Sequence, residues 1–406
     1  MGFTKRLLEQ MDEDSARGYL IPEKGERFLC ANHYSDKYLN AFVRKNGILG
    51  VCSYCGHRGR VIDFSDFVEH VGSKLSEHFE QIDDAGLFLE NSIFDDDDEV
   101  INGITRRDGF AAPAGVPYYS DFSEMMWDYD LVSDSEELNN DLSDCMLFER
   151  RIRRDPMAML LSEELSMMWR NFCNYVKTKQ RFTFFRSWLF DDDVLEHSDN
   201  GLGDILSELG GLVRRVETTI KVGKVLYRCR PADPGEKVVS FEDITAPPAF
   251  AAKSNRLSPA GISMFYGSFD KDTSIAEVGY ALEKPIIYLG VFKTTKPLRV
   301  IDLCSDFDVS FWMPDGWQEA SFLMHFHNEI SKKLGPNDNG EVEYVPTQIF
   351  TEYLRYLCKA SDGTHYDGII YKSATTGSRN VVLFYDQKTS ASVLSLDGQI
   401  ERLEKR

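Results

Sequence analysis

No part of this 406-residue chain approaches the ~18 to 20 consecutive apolar residues that a membrane-crossing helix needs, which excludes a helical membrane protein. A secretory leader is missing as well: the opening MGFTKRLLEQMDEDSARG is polar, with no apolar core and no small-residue cleavage site. The Met-Gly start lacks the Ser or Thr at the sixth position that myristoylation requires. A cytoplasmic protein is therefore expected. Positive charge is scarce, with 46 Lys+Arg against 66 Asp+Glu and a net charge of −20. From Val222 onward the balance is only about −3, so about −17 lies in the front half. Binding to phosphate backbones rests on clustered Lys and Arg, so nucleic acid is an unlikely partner and a basic protein a better one. There is no Ser-His-Asp arrangement, no internal repeat, and no low-complexity tract beyond the acidic run Asp95–Glu99.

Disulfides are not expected either, because eight cysteines in a cytoplasmic chain are free thiols or metal ligands. Four of them are grouped with histidine. Cys30-x2-His33 and Cys52-x2-Cys55 are two pairs separated by the interval that surrounds a tetrahedral Zn²⁺, and so small a module needs metal to fold. Gly56 supplies the tight turn after the second pair, and His57 can replace His33 as the fourth ligand. The remaining cysteines stand alone in apolar surroundings and read as small core residues.

Patterning divides the chain into three parts. Residues 1–64 read as an N-terminal amphipathic helix and the zinc-knuckle module. Residues 65–220 read as mainly helical, with helices expected over 65–88, 121–150, 155–181 and 201–216 and a mobile acidic loop over 94–117. In the third, Asp155-Pro156 reads as a cap followed by proline at the first helical position. Residues 221–406 carry short apolar strands, VLYRC, SMFYG, IIYLGVF, LRVIDL, GIIY and VVLFY, with helices over 274–282, 317–334 and 347–359. The fold class is thus multidomain: a zinc knuckle and a mainly α region, then an α+β domain with a split, strongly bent sheet.

The chemistry is concentrated between Leu226 and Glu277, in LYRCRP, NRLSPAGISMFYGS and TSIAEVGY. Arg228 and Arg256 offer planar, permanently charged forks suited to a pyrophosphate. Tyr266 offers a flat face for a ring, and Glu277 a carboxylate for a developing positive charge. Ser373 follows an apolar strand, where open α/β sheets present ligands. Each residue also has an ordinary use: an arginine as a surface ion-pair partner, Tyr266 in the core, Ser373 as a turn cap, and Glu277 in a capping box behind Thr273 and Ser274. Their order decides between the two.

Arg228, Arg256, Tyr266, Glu277 and Ser373, with YVPTQ at Tyr344–Gln348, resemble the RES domain over roughly Val222–Val393. The resemblance implies a fold similar to the ADP-ribosyltransferase toxins and cleavage of the nicotinamide bond of NAD. It implies Glu277 as the catalytic carboxylate, Arg228 and Arg256 on the phosphates, Tyr266 at the nicotinamide or its ribose, and Ser373 as a cofactor contact. Tyr227, Tyr344, Thr347, Gln348 and Asn380 follow as further contacts. The front of the chain resembles the HEPN/RES N-terminal domain, yet the Arg-x(4 to 6)-His pattern of HEPN ribonucleases is met only by Arg27 and His33, whose ring is claimed by the metal. No ribonuclease activity is expected. An NAD glycohydrolase or phosphorylase acting as a toxin or antiphage effector is expected, restrained by an antitoxin or other regulatory protein and assembled as a homo-oligomer. The alternatives are an ADP-ribosyltransferase acting on a macromolecule and a non-enzymatic docking or sensing protein.

Overall fold

The computed structural model describes residues 17–81, 104–107, 110–113, 118–147, 151–155, 158–183, 204–279, 286–305, 309–332, 334–335 and 338–404. It divides into two compact units, Met1–Leu160 with Val309–Trp317, and Leu161–Asp308 with Gln318–Arg406. Of the N-terminal amphipathic helix expected ahead of the Ile21-Pro22 turn, residues 1–16 lie outside the described residues. Among the described residues no helix is long and apolar enough to cross a membrane.

The first unit begins with a three-stranded antiparallel sheet. Strand β1 (Phe28–Cys30) pairs with β3 (Arg58–Asp63), which pairs with β2 (Ile48–Val51). Helix α1 (Lys37–Asn46) is started by Asp36, whose carboxylate accepts from the Tyr38 and Leu39 amides at 2.8 and 2.9 Å. The turn from β2 to β3 carries both Cys52 and Cys55 and is closed by Gly56 at φ +69°, a left-handed position that glycine adopts without strain. Asp63 caps helix α2 (Phe64–His78), whose Phe67, Val68, Val71 and Leu75 form one buried stripe. This helix ends at His78 rather than continuing to residue 88, because Phe79 opens strand β4 (Phe79–Gln81).

Within the stretch expected as a mobile acidic loop, β5 (Ile104–Arg107) and β6 (Phe110–Pro113) pair as an antiparallel hairpin. The DDDDE run lies outside the described residues. After β7 (Tyr118–Tyr119), the helix expected over 121–150 is two: α3 (Phe122–Asp128) and α4 (Glu136–Cys145). Asp130, at φ 54°, takes the left-handed turn that parts them, and Ser135 starts the second by accepting from the Leu138 amide. Strand β8 (Arg151–Arg153) pairs with both β4 and β7. The core of this unit gathers Phe67, Phe122, Leu138 and Leu142 with Phe311 and Trp312. The Trp312 indole N–H donates to the Tyr129 carbonyl at 2.6 Å, so a segment far along the sequence completes this core.

The second unit opens with α5 (Leu161–Thr178) and α6 (Asp204–Leu212). The first begins six residues after the cap expected at Asp155, whose carboxylate instead accepts from the Ala158 amide at 3.2 Å. Nine strands then form one sheet: β9 (Glu217–Ile220), β10 (Val225–Ala232), β11 (Phe265–Ser268), β12 (Ile286–Thr294), β13 (Leu298–Asp302), β14 (Gly368–Lys372), β15 (Arg379–Leu383), β16 (Leu394–Leu396) and β17 (Glu401–Glu404). Their spatial order is β16, β12, β10, β11, β15, β14, β13, β9, with β17 also pairing β12. Helix α7 (Phe241–Ile244) follows β10, α8 (Lys271–Gly279) follows β11, and α9 (Trp317–Ser331), α10 (Gly340–Glu343) and α11 (Val345–Tyr356) lie between β13 and β14.

Alternation along the strands gives the sheet two buried faces. Leu226, Phe265, Ile370 and Val381 belong to one core; Ile369 and Val382 belong to the other, with Phe172, Leu209, Phe326 and Phe350 of the helices. Helices α5 and α6 therefore pack within the same unit as the sheet. Its main irregularity is at the centre: β10 and β11 share a single register pair, Tyr227 with Ser268, whereas β10 pairs with β12 along its whole length. The two middle strands then diverge. Gly267 sits at that point because a Cβ there would lie 2.8 Å from the Phe265 ring and 3.2 Å from the Tyr227 carbonyl.

Candidate active site

A cavity of about 1070 Å³ opens where β10 and β11 part, large enough for a dinucleotide. Its walls include Arg228, Arg256, Tyr266, Glu277, Tyr344 and Asn380. These six were singled out in the sequence, and the fold brings them together from three strands, one helix, the loop of Arg256 and the turn at Tyr344 between α10 and α11.

Helix α8 carries Glu277. Asp270 starts this helix by accepting from the Thr273 amide at 2.8 Å, and Thr273 meets Thr376 hydroxyl to hydroxyl at 3.1 Å. That contact sets the helix against the turn joining β14 to β15, where Ser373 lies. The Ser373 hydroxyl donates to Glu277 Oε1 at 2.5 Å and accepts from the Thr375 and Thr376 amides at 3.2 and 3.1 Å. Asn380 Nδ2 donates to the same Oε1 at 2.9 Å, and its Oδ1 is held by the Ser268 hydroxyl. Ser268, Ser373 and Asn380 are all buried. Both donors fall on Oε1, so the carboxylate is fixed by one oxygen while Oε2 is left to the cavity. Ser373 does not line the cavity; it stands behind Glu277.

Arg228 bridges the parted strands. Its Nε donates to the Ile244 and Thr245 carbonyls at 2.9 and 3.1 Å, its Nη1 to the Tyr266 carbonyl at 2.6 Å, and its plane lies over the Phe265 ring. Only part of the fork remains for an anion. Burial lowers its pKa to about 10, still charged at neutral pH. Arg256 is less committed, with Nη1 donating to the Ile330 carbonyl and the guanidinium 5.6 Å from the centre of the Tyr344 ring. Tyr266 meets Ser258 hydroxyl to hydroxyl at 2.8 Å, and burial pushes its pKa up to about 12, so it remains a neutral phenol.

Three predicted contacts stand off the cavity wall. Thr347 donates to the Arg256 carbonyl at 2.5 Å, and Gln348 donates to the Asn255 carbonyl at 2.8 Å, so both hold the loop that presents Arg256. Tyr227 packs beside Cys229, Ile275 and Val278, under helix α8. Sequence reading missed Tyr371, which lies on the wall opposite Asn380 in the β14–β15 register; its position two residues before Ser373 on an alternating strand was the available signal.

The first unit holds a second cluster. One donor atom from each of Cys30, His33, Cys52 and Cys55 lies within 4.8 Å of the others, a group that could hold a metal ion. His33 Nε2 is 3.2 Å from Cys52 Sγ, and Ser133 Oγ is 3.3 Å from His33 Nδ1, which leaves Nε2 directed at the cluster. His57 does not belong to the group. Three sulfurs and one imidazole, three of the four residues buried, fit a soft or borderline divalent ion.

Comparison with known proteins identifies the two regions. Residues 225–404 match the family model described as RES domain, and residues 45–188 match HEPN/RES N-terminal domain 1. No curated protein and no solved structure matches the chain.

Proposed function

This chain is a RES-domain protein with a HEPN/RES N-terminal domain 1, and from that premise we propose that it degrades NAD by cleaving the bond between nicotinamide and ribose. The RES domain belongs with NAD-related, toxin-like proteins in general. The observation that carries the specific reading is the Glu277 carboxylate, clamped through Oε1 with Oε2 open to a cavity that also holds Arg228 and Arg256. The split sheet supports an ADP-ribosyltransferase-like fold.

In this reading Arg256 and the free part of the Arg228 fork bind the pyrophosphate, with Tyr266 and Tyr344 against the rings or riboses. Glu277 hydrogen-bonds a ribose hydroxyl next to the anomeric carbon, and that interaction strengthens as the sugar becomes oxocarbenium-like. The C–N bond breaks with its electron pair going to the pyridinium nitrogen, which leaves as neutral nicotinamide. Water then adds to the cation and loses a proton, or inorganic phosphate adds in its place. Ser373 and Asn380 hold the carboxylate in register, and Thr347 and Gln348 hold the Arg256 loop.

We further propose that Cys30, His33, Cys52 and Cys55 hold a structural zinc ion that stabilises the module over residues 1–64, and that the region over residues 65–220 serves regulation of the catalytic region over residues 221–406. The consequence for a cell would be loss of NAD, as a toxin or antiphage effector, with an antitoxin or self-association as restraint. Incubating the purified chain with NAD and following nicotinamide chromatographically tests the reading. NAD labelled in the adenylate part separates the outcomes: label in free ADP-ribose or its phosphate supports it, and label retained on protein or nucleic acid would favour macromolecular ADP-ribosylation.

A further inference from the structure

Tyr371 is an aromatic residue on the cavity wall that the sequence reading did not anticipate. Its strand position puts it level with Asn380, which is in turn level with Ser268 across β15 and β11, so three polar side chains run in a row over one face of the sheet. Ser268 and Asn380 spend their hydrogen bonds on each other and on Glu277. Tyr371 spends none: among the described residues its hydroxyl has no hydrogen-bond partner, although the side chain is part-buried. The hydroxyl is not one of the buried polar atoms without a partner; it is accessible from the cavity, where a ligand atom can take the place of water.

Tyr266, Glu277, Arg256 and Arg228 line the same cavity as this phenol. Burial, followed by the neighbouring Tyr266 and Glu277, holds it well above the ordinary tyrosine range, so it is neutral and able to donate. It therefore shares one cavity with the two groups assigned to the phosphates, and lies beside Asn380, which holds the carboxylate assigned to the anomeric carbon. The ligand atoms that belong there are the oxygens joining the nicotinamide-side ribose to its phosphate.

We propose that the Tyr371 hydroxyl is a substrate-binding group that donates a hydrogen bond to this ribose–phosphate junction. The proposal rests on the reading of the cavity as a dinucleotide site. ADP-ribose keeps that junction and lacks nicotinamide, so it separates contact with the junction from contact with the leaving group.

Calorimetric titration of the full chain with ADP-ribose, for wild type and Tyr371→Phe, tests this with thermal melting as the fold control. The expected result is binding by wild type, roughly tenfold weaker binding by Tyr371→Phe, the worth of one hydrogen bond to a charged acceptor, and an unchanged melting temperature. Equal affinity for the two chains overturns the proposal. So does a lowered melting temperature, which would make the hydroxyl a structural partner. Wild type that binds no ADP-ribose overturns the dinucleotide reading itself. Weaker binding of NAD with unaltered binding of ADP-ribose would move the hydroxyl to the nicotinamide and overturn the placement.

Discussion

Ser373 donates a 2.5 Å hydrogen bond to Oε1 of Glu277, ninety-six residues earlier in the chain. The serine is buried and its oxygen is itself fixed by two turn amides, so the bond sets where the carboxylate sits rather than offering a second reactive group.

Removing that anchor should impair turnover more than folding. Ser373→Ala and Asn380→Ala each leave Glu277 Oε1 with one donor, and a carboxylate displaced by about 1 Å loses on the order of 10²-fold in rate. Steady-state kinetics should therefore give a lower kcat with KM little changed. A normal kcat in both variants would remove the positioning role.

The two arginines should separate. Arg228→Ala strips partners from the carbonyls of Ile244, Thr245 and Tyr266 in the split sheet, at about 1 to 3 kcal/mol for each one left buried and unpaired. The melting temperature should fall clearly, and Arg228→Lys should not restore it, since one ammonium lacks the planar fork. Arg256→Ala removes a single bond to the Ile330 carbonyl and should weaken NAD binding with a smaller loss of stability.

Elemental analysis should find one zinc per chain. A Cys52→Ser, Cys55→Ser double variant should contain none and should melt at lower temperature, because binding energy at such a site is folding energy. A metal-free wild-type chain that melts normally would contradict the structural role.

Acid should destabilise the first unit through its histidines. Burial lowers the pKa of His70, which stacks on Phe42 at 3.7 Å, and of His78, which packs on Phe311; Lys74 between them lowers both further, and Glu77 opposes it. Both rings are held below their ordinary 6.5, so the unfolded chain takes up protons first. Their contribution is complete above about pH 6.5 and is lost as the pH falls below it. A His70→Gln, His78→Gln variant should show a shallower fall of melting temperature between pH 7 and 5 than wild type, and an equal fall would contradict this.

Much of this was readable in the sequence. The strands VLYRC, SMFYG, IIYLGVF, LRVIDL, GIIY and VVLFY all form, because their near-continuous apolar runs suit a sheet buried on both faces. The Cys/His group that could hold a metal was legible from spacing alone, and the structure favours His33 over His57 because Ser133, a hundred residues away, orients its ring. Helix limits were less legible: α2 stops at His78 where strand pairing takes over, and Asp130 parts two helices by a backbone turn that composition does not announce. The roles of Asn380, Thr347 and Gln348 depended on pairings across the sheet and loop, with partners 91 to 112 residues away. Tyr371 was missed because a tyrosine in GIIYK looks like any strand residue until its neighbours are in place.

Single-turnover release of nicotinamide from NAD by wild type and Glu277→Gln is the most direct measurement, with melting curves to verify the fold. Glutamine keeps the shape of the side chain and removes its charge. The account predicts release by wild type and a loss of about 10²- to 10³-fold or more in the variant at unchanged stability. Equal rates from the two chains, or no release by wild type, would contradict it.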